Sequence, residues 1–227
     1  RVRARRTWRN GGSAVVGMAA GGHGDRCGRE QDGERGAGAG PAAQRHRGAE
    51  VLLRWQHPDL GLVSPNQFIP VAEETGLMKS IDEWVLQTAC DQAQRWISAG
   101  LPPLSMTVNL PGASFSEPHL VDVVARALRQ AGLAPDILEL EITENVIMKN
   151  ASATVDMLQA LNRMGIRLAV DDFGMGYSSL AYLKSLPLHT LKIDRMFVRD
   201  AVEHQRDATI VRAIEDIRPD VVLHAAA

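Results

Sequence analysis

Asp171 and Asp172 stand side by side directly after the apolar run Ile166-Arg167-Leu168-Ala169-Val170. A glycine-spaced stretch follows them, Phe173-Gly174-Met175-Gly176-Tyr177-Ser178-Ser179-Leu180. Two adjacent like charges are costly to bury unless a cation or a proton offsets them. A paired Asp at the end of a strand therefore points to a divalent metal site more strongly than to a plain surface turn. Other polar groups stand where short apolar runs end: Asn109, Glu141 with Glu144, and Lys192 between Leu191 and Ile193.

The elements that must position these groups alternate along the chain. Residues 51–54, 104–109, 137–142, 166–170 and 191–193 read as strands. Residues 65–75, 81–99, 116–131, 150–164, 178–185 and 195–217 read as helices. Ser64-Pro65 has the signature of an N-cap followed by Pro at the first helical position, and Gly100, Gly132 and Gly165 stand where helices should stop. Strand–helix alternation at roughly 30-residue spacing predicts a parallel sheet with right-handed crossovers. In a (β/α) barrel, the C-terminal strand ends form the active-site rim. A flavodoxin-like open sheet would place a ligand at the same ends.

The whole chain of 227 residues has a net charge of −2 and 45% apolar residues, an ordinary balance for a globular protein. The average hides a split. Residues 1–49 hold ten Arg, no Lys and four acids, whereas the remainder is acidic. Residues 1–47 also hold 11 of the 20 glycines, and they read as a disordered or out-of-frame Gly/Arg-rich segment. A basic arm for nucleic acid is the competing reading, but the arginines are scattered and not arrayed on one helical face. Cys27 and Cys90 form no CxxC pair, so no redox motif or zinc knuckle is expected. No apolar run is long enough for a membrane span, and no secretory signal is visible.

Taken together, residues 48–217 resemble the EAL domain, the bacterial phosphodiesterase domain that linearises cyclic di-GMP. The resemblance is carried by Glu50-Val51-Leu52-Leu53-Arg54, Val108-Asn109-Leu110, Glu139-Leu140-Glu141-Ile142-Thr143-Glu144, Asp171-Asp172-Phe173-Gly174 and Leu191-Lys192-Ile193-Asp194. The signature triplet reads Glu-Val-Leu here in place of Glu-Ala-Leu. The family fold implied is a TIM-like (β/α) barrel. The resemblance implies that Glu50, Asn109, Glu141 and Asp171 ligate one metal, with Asp171 bridging to a second and Asp172 beside it. Lys192 would orient the attacking water or stabilise developing charge, and Glu144 would hold the loop after Asp172. Arg54 would contact a substrate phosphate, a role that suits a guanidinium fork. The ions implied are two Mg²⁺ or Mn²⁺, which oxygen-rich ligands favour and which can activate water and neutralise phosphoryl oxygens. A bacterial cytoplasmic location, a homodimer, and sensory or diguanylate-cyclase domains outside this chain are further implications.

Several departures accompany the match. Met175 stands where the family usually has Thr, and His189 where it often has Asp. A Tyr-Gln-Pro first strand before Glu50 and an Ala-Glu-Gly-Val-Glu strand after residue 217 have no counterpart. The second of these would bring another acid to the metal site. The expectation is an incomplete barrel, lacking its first strand and last βα units, with residues 218–227 as a non-matching tail. Reduced catalysis, binding without catalysis, and a non-functional fragment are the three outcomes this leaves open. His57 is expected to pack and not to ligate.

Overall fold

The six residues Leu138-Glu139-Leu140-Glu141-Ile142-Thr143 form a strand whose side chains alternate in type, yet both of its faces are buried. Alternation usually marks a strand with one wet face. Here it separates a helix-packed apolar face from a polar face inside the protein. The computed structural model describes residues 2–7, 13–21, 48–115, 119–149, 151–173, 186–193 and 222–225.

Nine strands are found among these residues: β1 (Val2–Thr7), β2 (Ser13–Gly21), β3 (Gly48–His57), β4 (Gly61–Val63), β5 (Ser105–Asn109), β6 (Leu138–Thr143), β7 (Arg167–Phe173), β8 (Thr190–Ile193) and β9 (Val222–Ala225). They form one sheet in the order β1-β2-β3-β5-β6-β7-β8-β9, with β4 as a hairpin partner of β3. The pairs from β3–β5 to β8–β9 are parallel. The described helices are α1 (Pro65–Glu74), α2 (Met78–Ser98), α3 (Gly112–Phe115), α4 (Leu120–Ala131), α5 (Glu144–Lys149) and α6 (Ala151–Arg163). They lie in the connections between β3 and β7, as parallel pairing requires.

Local signals account for the helix ends. The Gln67 side chain accepts the Ser64 backbone N–H at 3.4 Å, and Pro65 opens α1. Gly132 closes α4 in the left-handed region at φ 66, where a side chain would be strained. Val108, Leu140, Leu168, Val170 and Leu191 on the strands share one core cluster with Leu86, Ala89, Val124, Leu128, Leu158 and Leu161 on the helices. The helices expected over 178–185 and 195–217 lie outside the described residues.

The edges differ from expectation. No element was anticipated over residues 1–47 or 218–227, but β1, β2 and β9 form there. Ser13–Gly21 is small and apolar, and it pairs antiparallel with β3 from Ser13↔Gln56 to Gly21↔Gly48. β9 pairs with β8 from Thr190↔Val222 to Ile193↔Ala225. The backbone groups of β3 and β8, expected to be open edges, are thereby satisfied. Among the described residues β1 pairs only with β2, and β9 only with β8, so the sheet is not closed. This is the arrangement of an incomplete (β/α) barrel.

β7 also runs further than the apolar pattern indicated. It includes Asp171, Asp172 and Phe173, and its register against β8 shifts between Val170 and Phe173. Asp172 takes a positive φ of 54, which Asp tolerates better than most residues. The acid pair thus occupies an irregular strand end and does not follow the strand.

Candidate active site at the strand ends

Strand register places the polar residues in rows. One row runs Glu50, Thr107, Glu139, Arg167 across β3, β5, β6 and β7. The next runs Asn109, Glu141, Ala169, Thr190 across β5 to β8. Thr143 and Asp171 pair one step further on. Successive residues on one face of a strand are two apart, so these rows stack toward the strand C-termini.

Four of the expected site residues meet in two direct contacts. Asn109 Nδ2 donates to Glu50 Oε1 at 3.1 Å, joining β5 to β3. Lys192 Nζ forms an ion pair with Glu141 Oε1, reaching from β8 to β6. Glu141 is 1% exposed, and its Oε2 has no hydrogen-bond partner among the described residues. Burial pushes the Glu141 carboxyl up to about 7. Lys192 opposes that rise, while Asp171 and Glu50 add to it. Burial acts to lower the Lys192 ammonium, but Glu141, Asp171 and Glu50 outweigh it and hold its pKa above the ordinary value. Glu141, Asp171, Glu50 and Lys192 therefore form one electrostatic cluster.

The other expected residues sit around this cluster. Asp171 is half-buried and Asp172 is exposed. Glu144 opens α5 and is buried at 4% exposure. Arg54 Nη1 donates to the Leu53 carbonyl at 2.7 Å and makes no described contact with the acids. Among the described residues no three His, Cys, Asp or Glu side chains are close enough to hold an ion as they stand. The donor set nevertheless suits a hard divalent cation: carboxylates, one amide, and a buried carboxylate oxygen without a partner. The Lys192 ammonium supplies the positive charge that such a group of acids requires.

Sequence reading missed the partners of Glu139. Thr107 Oγ1 donates to its Oε1 at 3.3 Å, and Thr190 Oγ1 to its Oε2 at 2.9 Å. Arg167 Nε approaches Oε2 at 3.4 Å. The only available signal was that Glu139 lies two residues before Glu141 on a strand with buried neighbours. His57 packs as expected: Trp55 meets it edge-on, and its Nδ1 accepts the Asp59 and Leu60 N–H groups at 3.1 and 3.2 Å. His189 joins the starts of β7 and β8. Its N–H donates to the Leu168 carbonyl at 2.9 Å, and its Nδ1 accepts the Leu168 N–H at 3.2 Å.

Comparison with known proteins gives this geometry a family. The model of the EAL domain matches residues 41–217. The chain is 47% identical over 167 residues to the bifunctional diguanylate cyclase/cyclic di-GMP phosphodiesterase MucR of Pseudomonas aeruginosa, covering 74% of this chain and 24% of the relative. It is 46% identical over 165 residues to the cyclic di-GMP phosphodiesterase NbdA of the same organism, covering 73% of this chain and 21% of that one. This chain thus spans under a quarter of the length of these curated relatives. The solved structure of the P. aeruginosa MucR phosphodiesterase in complex with c-di-GMP superposes with a TM-score of 0.70 at 43% identity, covering 79% of this chain and 74% of that one. No helix among the described residues is long and apolar enough to cross a membrane. The strand-end cluster of Glu50, Asn109, Glu141, Asp171 and Lys192, the matched family model and the shared fold agree: this chain belongs to the EAL domain family.

Proposed function

We propose that this chain carries a phosphodiesterase domain, incomplete as a barrel, that hydrolyses cyclic di-GMP to linear pGpG. The observation that carries the reading is the Glu141–Lys192 pair at the strand ends, its carboxylate buried and its ammonium half-buried, flanked electrostatically by Asp171 and Glu50. MucR and NbdA, both named as cyclic di-GMP phosphodiesterases, support it. Glu50, Asn109, Glu141 and Asp171, with Asp172 beside them, would hold two Mg²⁺ or Mn²⁺ ions. Such ions supply an activated water at neutral pH and offset charge on the phosphoryl oxygens.

The chain's own groups have separate tasks in this reading. The Asn109–Glu50 hydrogen bond fixes one carboxylate oxygen of β3 beside β5. Lys192 is a charged donor at the buried edge of the row, suited to orienting a water or steadying charge that develops on the phosphoryl group. Glu144 opens α5 directly after β6 and would brace the loop beyond Asp172. Arg54 would leave its backbone contact to meet a substrate phosphate with its planar fork.

The test is conversion of cyclic di-GMP by the purified chain with Mg²⁺ or Mn²⁺, followed by chromatography. Appearance of pGpG, abolished by EDTA and by Glu141→Gln, is the expected result. No product under conditions where MucR turns over would reject catalysis. A second reading is binding without hydrolysis. It is favoured by β9, whose residues Val222, Leu223, His224 and Ala225 bring no carboxylate beside Lys192. Cyclic di-GMP affinity by calorimetry, with no pGpG formed, would select it.

A further inference from the structure

Glu139 ties four strands together. Its carboxylate accepts from Thr107 on β5 and Thr190 on β8, and it pairs with Arg167 on β7, while Glu139 itself is on β6. Glu139, Thr107 and Thr190 are 7%, 8% and 4% exposed. Each member of this cluster precedes a site residue on the same face of its own strand. Thr107 is two before Asn109, Glu139 two before Glu141, Thr190 two before Lys192, and Arg167 four before Asp171. The Glu139–Thr190 bond crosses β7 diagonally from one register row to the next. It therefore fixes the stagger of β8 against β6, which is the offset that brings Lys192 onto Glu141.

We propose that Glu139 is a positioning residue for the metal site, clamping through Thr107, Arg167 and Thr190 the four strands that present Asn109, Glu141, Asp171 and Lys192. The proposal rests on the reading above that these residues hold divalent ions. The physical logic is that of outer groups orienting metal ligands: removing them leaves every ligand present but shifts it. A displacement well under a strand spacing is enough, because ion sites demand tight geometry.

The experiment titrates the whole chain with Mn²⁺ and reads bound ion by electron paramagnetic resonance, with thermal unfolding followed in parallel. Glu139→Leu removes all three contacts, Glu139→Gln keeps one acceptor oxygen and offers an amide N–H that the other threonine hydroxyl can accept, and Thr190→Val removes only the shortest bond. Glu139→Leu is expected to weaken Mn²⁺ binding at least about tenfold and to change the spectrum of the bound ion. Glu139→Gln should recover most of the affinity, and Thr190→Val should fall between the two. If Glu139→Leu does not fold, Thr190→Val and Glu139→Gln decide the matter. Unchanged Mn²⁺ affinity and spectrum in the folded variants, with only a lowered unfolding temperature, would overturn the proposal while leaving the metal site intact. No Mn²⁺ binding by the unaltered chain would instead remove the metal reading and this proposal with it.

Discussion

Lys192 on β8 and Glu141 on β6 meet across the intervening strand β7, over Ala169. Ala169 pairs with both Glu141 and Thr190 and is fully buried. Its single methyl group leaves the ammonium a path to the carboxylate.

Lys192→Met should leave the Glu141 carboxyl buried without a cation, so that it holds a proton near neutral pH. The expected loss is about 1–3 kcal/mol of stability, the usual cost of leaving a buried polar group without its partner. Lys192→Met combined with Glu141→Leu should regain much of that loss. Urea unfolding of the metal-free proteins, arranged as a double-mutant cycle, measures the coupling. An additive cycle would show that the pair contributes nothing.

Ala169→Leu should both overpack the row and block the ion pair. A cost of about 1–3 kcal/mol from overpacking is expected, with further loss from the displaced Lys192. Ala169→Gly opens the space and should keep the pair, losing roughly 1 kcal/mol. Thermal unfolding of the two variants compares them. An Ala169→Leu variant as stable as the unaltered chain would mean the space above β7 is not filled by the pair.

Asp172 has a different vulnerability, since its backbone sits at φ 54. Asn tolerates that conformation, whereas a β-branched residue does not. Asp172→Asn should unfold within about 0.5 kcal/mol of the unaltered chain, while Asp172→Val should lose roughly 1–2 kcal/mol or more. Both should lose phosphodiesterase turnover, because both remove the acid. Denaturation midpoints and pGpG formation separate the two effects.

Asp82 predicts a pH dependence away from the site. Burial raises its carboxyl to about 6; the Ser114 hydroxyl, which donates to Oδ2, opposes the rise, and Glu73 adds to it. Glu73, Lys79, Ser114 and His119 line the same cleft between α1, α2, α3 and α4. The folded value lies above the unfolded one, so protonation of Asp82 stabilises the fold below about pH 4. That contribution fades as pH rises through about 6. Asp82→Asn should remove it, so the unaltered chain should lose about 2–3 kcal/mol relative to Asp82→Asn between pH 4 and pH 7. Parallel unfolding curves for the two proteins across that range would contradict this.

Much of the fold was legible because its signals are local. Ser64-Pro65, Gly100 and Gly132 punctuate the helices, and short apolar runs mark β5, β6 and β8. The polar groups at strand ends were legible for the same reason. What escaped depends on partners distant in sequence. Glu139 is 32, 28 and 51 residues from Thr107, Arg167 and Thr190, and no periodicity reports such pairings. β1, β2 and β9 were hidden because strand propensity depends on what edge is free to be paired. Glycine and arginine dominate residues 1–47 and masked the apolar run of β2. The irregularity at Asp171–Asp172 was invisible because it arises from the register of β7 against β8.

From β3 to β9 each neighbour on the sheet path follows its predecessor in the chain, apart from the hairpin strand β4. The sheet can therefore assemble in the order of synthesis, each parallel pair awaiting its own crossover. Glu141 enters with β6, but its cation arrives only with β8, two crossovers later. Until then the carboxylate needs water or a proton. Burial of the future site is thus a late event, and the ion pair reports that β8 has docked.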